Sequence, residues 1–237
     1  MDLGLEGRVA IVTGASRGIG LAVVERLVAE GCEVVAVSRT AGDGPGHHVA
    51  ADVTDPGAAD RVVGECLERF GRLDVLVNNA GGAEPAALEQ LTDADWQRAF
   101  EFNFFAAVRF AAACAPVMRE RRWGRMVHVA SVSGREPDRR FAPYSAAKAA
   151  LLNFSTSLSH SDAPETPHPA GHALADSGHG ALGPNSSHPR VESEAERCAL
   201  DCRRLSLSRR HGALAMALAA GLRRSGGCRR PPRAWPR

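Results

Sequence analysis

The chain has 237 residues, 44% of them hydrophobic and 24% charged, with a formal net charge of +2. This is an ordinary soluble composition with length for one sizeable core, and so small a net charge makes no case for nucleic acid or an anionic membrane as partner. Asp2 and Glu6 stand where a secretory signal needs positive charge, and the six cysteines (32, 66, 114, 198, 202, 228) have neither disulfide-scaffold density nor zinc-finger spacing, so reduced thiols in a cytoplasmic protein without a metal site are expected.

From Arg8 onward, short β-branched runs alternate with helical periods. "RVAIVTG" predicts a buried strand, and "GIGLAVVERLVAEG" a helix with Ile19, Ala22, Val23 and Leu27 on one face and Gly31 as its C-terminal cap. "CEVVAVSR" and "HHVAADV" predict two more strands, joined by "TAGDGPG", which is too short and too glycine-rich for a helix. A helix over "DPGAADRVVGECLERFG" and a strand over "LDVLVNNAG" follow. Thr92 and Asp95 then open a long helix as a capping box, with Pro116 near its end. "GRMVHVAS" is the fifth strand and "PYSAAKAALLNFSTSL" the last clear helix. Apolar strands separated by helices imply a doubly wound, parallel, Rossmann-type α/β sheet.

"TGASRGIG", Thr13 to Gly20, falls where the first strand gives way to the first helix. Glycines there let the backbone approach a pyrophosphate, whose charge meets the free amides of the helix N-terminus. Gly14, Ser16, Arg17, Gly18, Ile19 and Gly20 are the candidate cofactor contacts of this loop. The spacing is G-x-x-x-G-x-G rather than G-x-G-x-x-G. At the end of the second strand, an enzyme using NAD needs a carboxylate for the ribose 2′-hydroxyl, whereas a 2′-phosphate needs cations. This chain has Ser38 and Arg39 there, with Arg17 across the glycine turn, and the expected cofactor is NADP(H).

Tyr144 is the one tyrosine of the chain and Lys148 the one lysine. A phenol with a reference pKa of about 10 needs a nearby cation to act as an acid at neutral pH. Residues four apart share a helix face, so the ammonium of Lys148 and the phenol of Tyr144 point at one ligand. Ser131, at the end of the fifth strand, precedes them in the spacing S-x12-Y-x3-K, and Asn103 lies in the long helix before that.

With "TGASRGIG", Asp52–Val53 and "NNAG" at 78–81, these residues resemble the short-chain dehydrogenase/reductase family over roughly Leu5 to Ser159, in the pattern of its 3-oxoacyl-thioester reductases and ketoreductases. The resemblance implies hydride transfer between a nicotinamide and a carbonyl or alcohol, and an acyl thioester is one candidate substrate. Tyr144 would be the proton donor and Ser131 would hydrogen-bond the same oxygen. Lys148 would hold the nicotinamide ribose and lower the tyrosine pKa, while Asn103 would anchor a water. Asp52 and Val53 would border the adenine, and Asn79, Ala80 and Gly81 would run beside the cofactor. The family also implies a homo-oligomer, and "GREPDRRFAP" as one wall of the substrate pocket.

Residues 1–159 thus form the expected dinucleotide-binding and catalytic domain, and 160–237 an atypical tail. The tail holds 8 of the 14 prolines and 6 of the 9 histidines, with no Ile and no Phe. No strand is expected in it, and disorder is the expected state, apart from possible short helices at 192–204 and 213–224. A reading frame shifted near residue 160 accounts for the change; a lineage-specific tail is the alternative. An impaired reductase, or a catalytically silent nucleotide-binding or interaction protein derived from one, are the two functional expectations.

Overall fold

The computed structural model describes residues 3–40, 42–160 and 170–174. Its centre is a parallel sheet in the order β3-β2-β1-β4-β5-β6. In chain order the elements are β1 (Val9–Thr13), α1 (Gly18–Ala29), β2 (Glu33–Ser38), β3 (His47–Ala50), α2 (Ala58–Phe70), β4 (Val75–Asn78), α3 (Asp93–Phe100), α4 (Ala106–Glu120), β5 (Arg125–Ala130), α5 (Ala142–His160) and β6 (Ala170–Leu174). Every neighbouring pair is parallel. The chain therefore starts in the middle, winds outward through β2 and β3, and crosses back to β4 on the other side of β1.

The period-2 alternation of strand side chains divides the core in two. Val9 and Ile11 of β1, Val35 and Val37 of β2, and Leu76 of β4 face α2 and α4, packing on Val62, Cys66, Phe110, Cys114 and Met118. Ala10, Val12, Val34, Ala36, Val75 and Val77 face the other way, onto Val23, Val24 and Leu27 of α1. Both faces of the central strands are covered, which is why they read as continuous apolar runs. The predicted caps form: Gly31 follows α1 with φ +82, and the Thr92 Oγ1 accepts from the Asp95 N–H while the Asp95 carboxylate accepts from the Thr92 N–H. Among the described residues no helix separates β2 from β3, as the composition of "TAGDGPG" requires. The helical run 93–120 is long and apolar enough to cross a membrane by length and composition alone. Here it packs Phe110, Cys114 and Met118 into the core.

The structure corrects one expectation. Ala170–Leu174, inside the segment read as strandless, pairs in parallel with Met126–Ala130 as β6. The sequence criterion was the continuous apolar run that a central strand needs. β6 is the outer strand of the described sheet, bonded on one side only, where that requirement relaxes. The two possible helices at 192–204 and 213–224 lie outside the described residues.

At the amino end of the sheet, the fully buried Asp74 carboxylate accepts hydrogen bonds from Arg72 Nε (2.7 Å), Arg72 NH2 (2.8 Å), Arg8 NH1 (3.1 Å) and the Val9 N–H (2.9 Å). Burial works to raise its pKa, but these donors outweigh it and hold the carboxyl below the usual range. The charge-assisted contribution is therefore present above the unfolded carboxyl pKa of about 3.9 and is lost as pH falls through the lower folded value. Asp74→Asn is expected to cost about 2–4 kcal/mol in urea unfolding at pH 7, with the difference from wild type shrinking in acid. A loss below about 0.5 kcal/mol would contradict this account of the strand junction.

Candidate active site

The order reversal between β1 and β4 opens a crevice at the carboxyl ends of these strands, the usual ligand position in an open parallel sheet. Thr13, last in β1, organises it. Its Oγ1 accepts from the N–H groups of Asn79 (3.0 Å) and Ala80 (3.1 Å) and donates to the Val77 carbonyl (3.4 Å). Asn79 Nδ2 in turn donates to the carbonyls of Thr13 (3.0 Å) and Gly14 (3.1 Å). Gly14 has φ +68, and a Cβ on Gly20 would lie 2.1 Å from the Gly14 carbonyl oxygen, so a side chain fits at neither position. Helix α1 starts with no side-chain cap and no acidic residue in its first turn, which leaves its leading amides for an anion. Ser16, Arg17 and Gly18 are exposed on this turn and Ile19 is half-buried.

On the far side of the crevice, Ser38 is buried and its hydroxyl donates to the Thr40 carbonyl (2.6 Å). Arg39 is exposed. Asp52 Oδ1 accepts from the Thr54 hydroxyl (2.7 Å) and N–H (2.9 Å), which together with the nearby Arg39 charge lower its pKa. Val53 is buried beside it. The end of β2 thus carries a cation and no carboxylate.

Lys148 and Tyr144 sit one turn apart on α5, 3% and 8% exposed. The lysine Nζ lies 5.8 Å from the centre of the tyrosine ring and donates to the Val129 carbonyl at 2.8 Å. Burial pushes the pKa of this amine down to about 8. Asn103 occupies a π-helical turn, Glu101–Phe105, between α3 and α4. Its Nδ2 donates to the carbonyls of Ala99 (2.9 Å) and Gly82 (2.9 Å), and its Oδ1 accepts from the Gly82 N–H (3.0 Å). The wider turn is what lets a helix-borne amide reach back to a carbonyl four residues earlier and across to the loop after β4. A Cβ on Gly81 would lie 2.8 Å from Asn103 Oδ1 and 3.2 Å from Lys148 Nζ, so these two side chains flank the Gly81 backbone. Ser131 is extended at the end of β5, and its Oγ accepts from the Ser133 N–H (3.2 Å).

The "GREPDRRFAP" segment contributes Arg139 and Arg140 to a cavity whose lining does not include Ser131, Tyr144 or Lys148. This cavity of about 570 Å³ is lined by Pro85, Leu88, Glu89, Gln90, Arg139 and Arg140, among others. Its two sides are tied by the Ala86 N–H donating to the Arg140 carbonyl (2.9 Å), and Arg140 itself is paired with Asp138 (2.8 Å). Cys32, Cys66 and Cys114 are buried free thiols, and burial pushes the first two up to about 11 and about 12, so they are inert at neutral pH. Among the described residues no group of three His, Cys, Asp or Glu is placed to hold a metal ion. Cys198, Cys202 and Cys228 lie outside the described residues.

Sequence reasoning missed three contributors. Thr13 stood inside the quoted glycine loop, but nothing in its identity shows that its hydroxyl receives two amides from the loop after β4. Asn78 Nδ2 donates to the Ala107 carbonyl (3.0 Å) and faces His128 Nδ1 (3.2 Å), fastening β4 to α4 and β5. The doubled Asn in "NNAG" was the available signal. Gly82 receives both ends of the Asn103 amide, a role open to any residue's backbone and so silent in sequence.

A family model described as "short chain dehydrogenase" matches residues 8–166. The 3-oxoacyl-(acyl-carrier-protein) reductase FabG of Salmonella typhimurium is 36% identical over 165 residues, covering 66% of this chain and 68% of that protein. The 3-oxoacyl-(acyl-carrier-protein) reductase MabA of Mycobacterium avium is 39% identical over 153 residues, covering 64% and 60%. Among solved structures, ligand-free aldohexose dehydrogenase from Thermoplasma acidophilum superposes with a TM-score of 0.66 at 30% identity, covering 69% of this chain and 65% of that one. L-sorbose reductase from Gluconobacter frateurii, complexed with NADPH and L-sorbose, gives 0.64 at 37% identity, covering 68% and 66%. The chain thus spans about two thirds of the length of these relatives.

Proposed function

The chain belongs to the short-chain dehydrogenase family, and from that premise we propose that it is an NADP(H)-dependent reductase of a small carbonyl compound, an acyl thioester among the candidates. One observation carries the reading: the single lysine is buried one helical turn from the single tyrosine, with its ammonium beside the Gly81 backbone and a backbone carbonyl as its hydrogen-bond acceptor. The residues present fit a dinucleotide, because α1 begins with no side-chain cap and no acidic residue in its first turn, and the space where a Cβ on Gly18 would stand is open, with no atom within 4 Å. Bound NADPH would supply the hydride to the carbonyl carbon. The Tyr144 hydroxyl gives its proton to the carbonyl oxygen, and the Ser131 hydroxyl hydrogen-bonds that oxygen. Lys148 stabilises the phenolate left behind and would hold the cofactor ribose; Asn103 fixes the Gly82 backbone. These steps balance as one hydride and one proton added across a C=O bond.

The preference for a 2′-phosphate rests on Arg17 and Arg39 with no carboxylate at the end of β2, and on the NADPH-bound sorbose reductase among the similar structures. The test is NADPH binding by fluorescence, together with NADPH oxidation against ketones and 3-oxoacyl thioesters. Arg17→Ala with Arg39→Ala is expected to weaken NADPH binding by about 10- to 100-fold and to leave NADH nearly unchanged, since a charge-assisted hydrogen bond is worth about 1.5–3 kcal/mol. Equal losses for both cofactors would remove the NADP assignment. A second reading, nucleotide binding without turnover, is favoured by the family match ending at residue 166 while the chain continues to 237. Binding of NADPH with no oxidation across the panel would select it.

A further inference from the structure

We propose that Gly134 is a positioning residue that sets Ser131 and Lys148 relative to one another. The proposal rests on the reading of these two side chains as parts of the reductase site. Gly134 closes the short turn Val132–Gly134 that links β5 to the segment before α5, and its N–H donates to the Ser131 carbonyl at 3.0 Å. The same turn places the Ser133 N–H on the Ser131 Oγ. On its other side Gly134 lies against the peptide bond between Lys148 and Ala149. A Cβ there would sit 2.9 Å from the Lys148 carbonyl carbon, 3.0 Å from the Ala149 nitrogen and 3.0 Å from Leu152 Cδ1. Leu152 is a flexible side chain and can turn away. The two backbone atoms belong to a helix and move only if the helix moves.

One residue without a side chain therefore sets how closely the serine-bearing turn approaches the turn of α5 that carries the lysine. Any larger residue drives the two apart by several tenths of an ångström, at a site where a misplacement of about 1 Å can lower a rate by about 100-fold. The separation also decides how well Lys148 Nζ stays out of water while it donates to the Val129 carbonyl.

The experiment uses Gly134→Ala in the full chain. Because the chain holds one lysine, 13C labelling at lysine Cε gives a single NMR resonance that reports Lys148 without any turnover. The expected result is a kcat lowered at least 10-fold with KM for the ketone within about threefold, and a lysine titration moved upward from about 8 as water reaches the amine. Adding Leu152→Ala should not restore either property. Restoration would show that Gly134 only makes room for Leu152 and would overturn the proposal, as would an unchanged titration together with an unchanged kcat. If Gly134→Ala fails to fold, Val132→Gly loosens the same turn at a half-buried position while keeping both partners. It should lower kcat with KM preserved and leave the lysine titration in place, and unchanged kcat would again overturn the assignment. The lysine resonance is read on the cofactor-free protein. A wild-type chain that neither binds nor oxidises NADPH therefore ends the reductase reading, while the geometry of Gly134 and Lys148 is still decided by the titration.

Discussion

Tyr144→Phe is expected to lower carbonyl reduction by about 10²- to 10⁴-fold while leaving NADPH binding within about threefold of wild type. The split follows from what the substitution removes. The ring of Tyr144 is 8% exposed, packed in α5 near Lys148 Nζ, and phenylalanine keeps that volume in the same rotamer. Only the hydroxyl goes, and with it the acid that would protonate the carbonyl oxygen. No second tyrosine exists in the chain to replace it. Serine does not take over, because its hydroxyl has a far higher pKa and no adjacent base. NADPH oxidation measured beside a fluorescence titration reads both quantities, and a variant turning over within twofold of wild type would remove Tyr144 from the chemistry.

Lys148→Met is expected to abolish turnover to a similar extent and, unlike the tyrosine variant, to make the cofactor-free protein more stable. The amine is 3% exposed and its hydrogen-bond acceptor is a neutral carbonyl, so folding pays to bury an ammonium. Its pKa falls from 10.5 to about 8, which corresponds to about 3 kcal/mol of destabilisation when the group is charged in both states. The sign follows from proton counting. Below pH 8 the folded and unfolded chains are both protonated and the cost is complete. Between about 8 and 10.5 the unfolded chain holds more protons, so wild-type stability rises with pH through that window. Methionine has a similar length and no charge, so its variant should exceed wild type by about 1–3 kcal/mol at pH 7 in urea unfolding, with the gap closing toward pH 10.5. A variant less stable than wild type at pH 7 would show that the ammonium is satisfied by the fold itself.

The sheet was legible because a strand covered on both faces must be apolar throughout. "VAIVT", "VVAV" and "VLVN" announce β1, β2 and β4, and the glycine turn after β1 marks where the crevice opens. Lys148 and Tyr144 were legible through helix periodicity, which places residues four apart on one face. The π turn at Asn103 was not. Its sequence, "EFNFF", has ordinary helical propensity, and the wider turn goes with the bonds from the Asn103 amide back to Ala99 and out to Gly82, which lies across a fold the sequence does not display. Strand β6 was missed because "AGHAL" lacks the apolar continuity of its inner neighbours, and pairing with β5 supplies what local propensity does not. Gly134 was missed because a glycine in a loop reads as a turn residue, whereas the structure uses it to admit the backbone of another helix.

The most direct measurement is the pH titration of the single lysine by NMR, with 13C at Cε, in the full chain with and without NADPH. A midpoint near 8 that moves when NADPH is added is the predicted result. A midpoint near the unperturbed value of about 10.4, indifferent to NADPH, would mean that the amine lies in water away from the cofactor, and no reductase site would remain at this place in the fold.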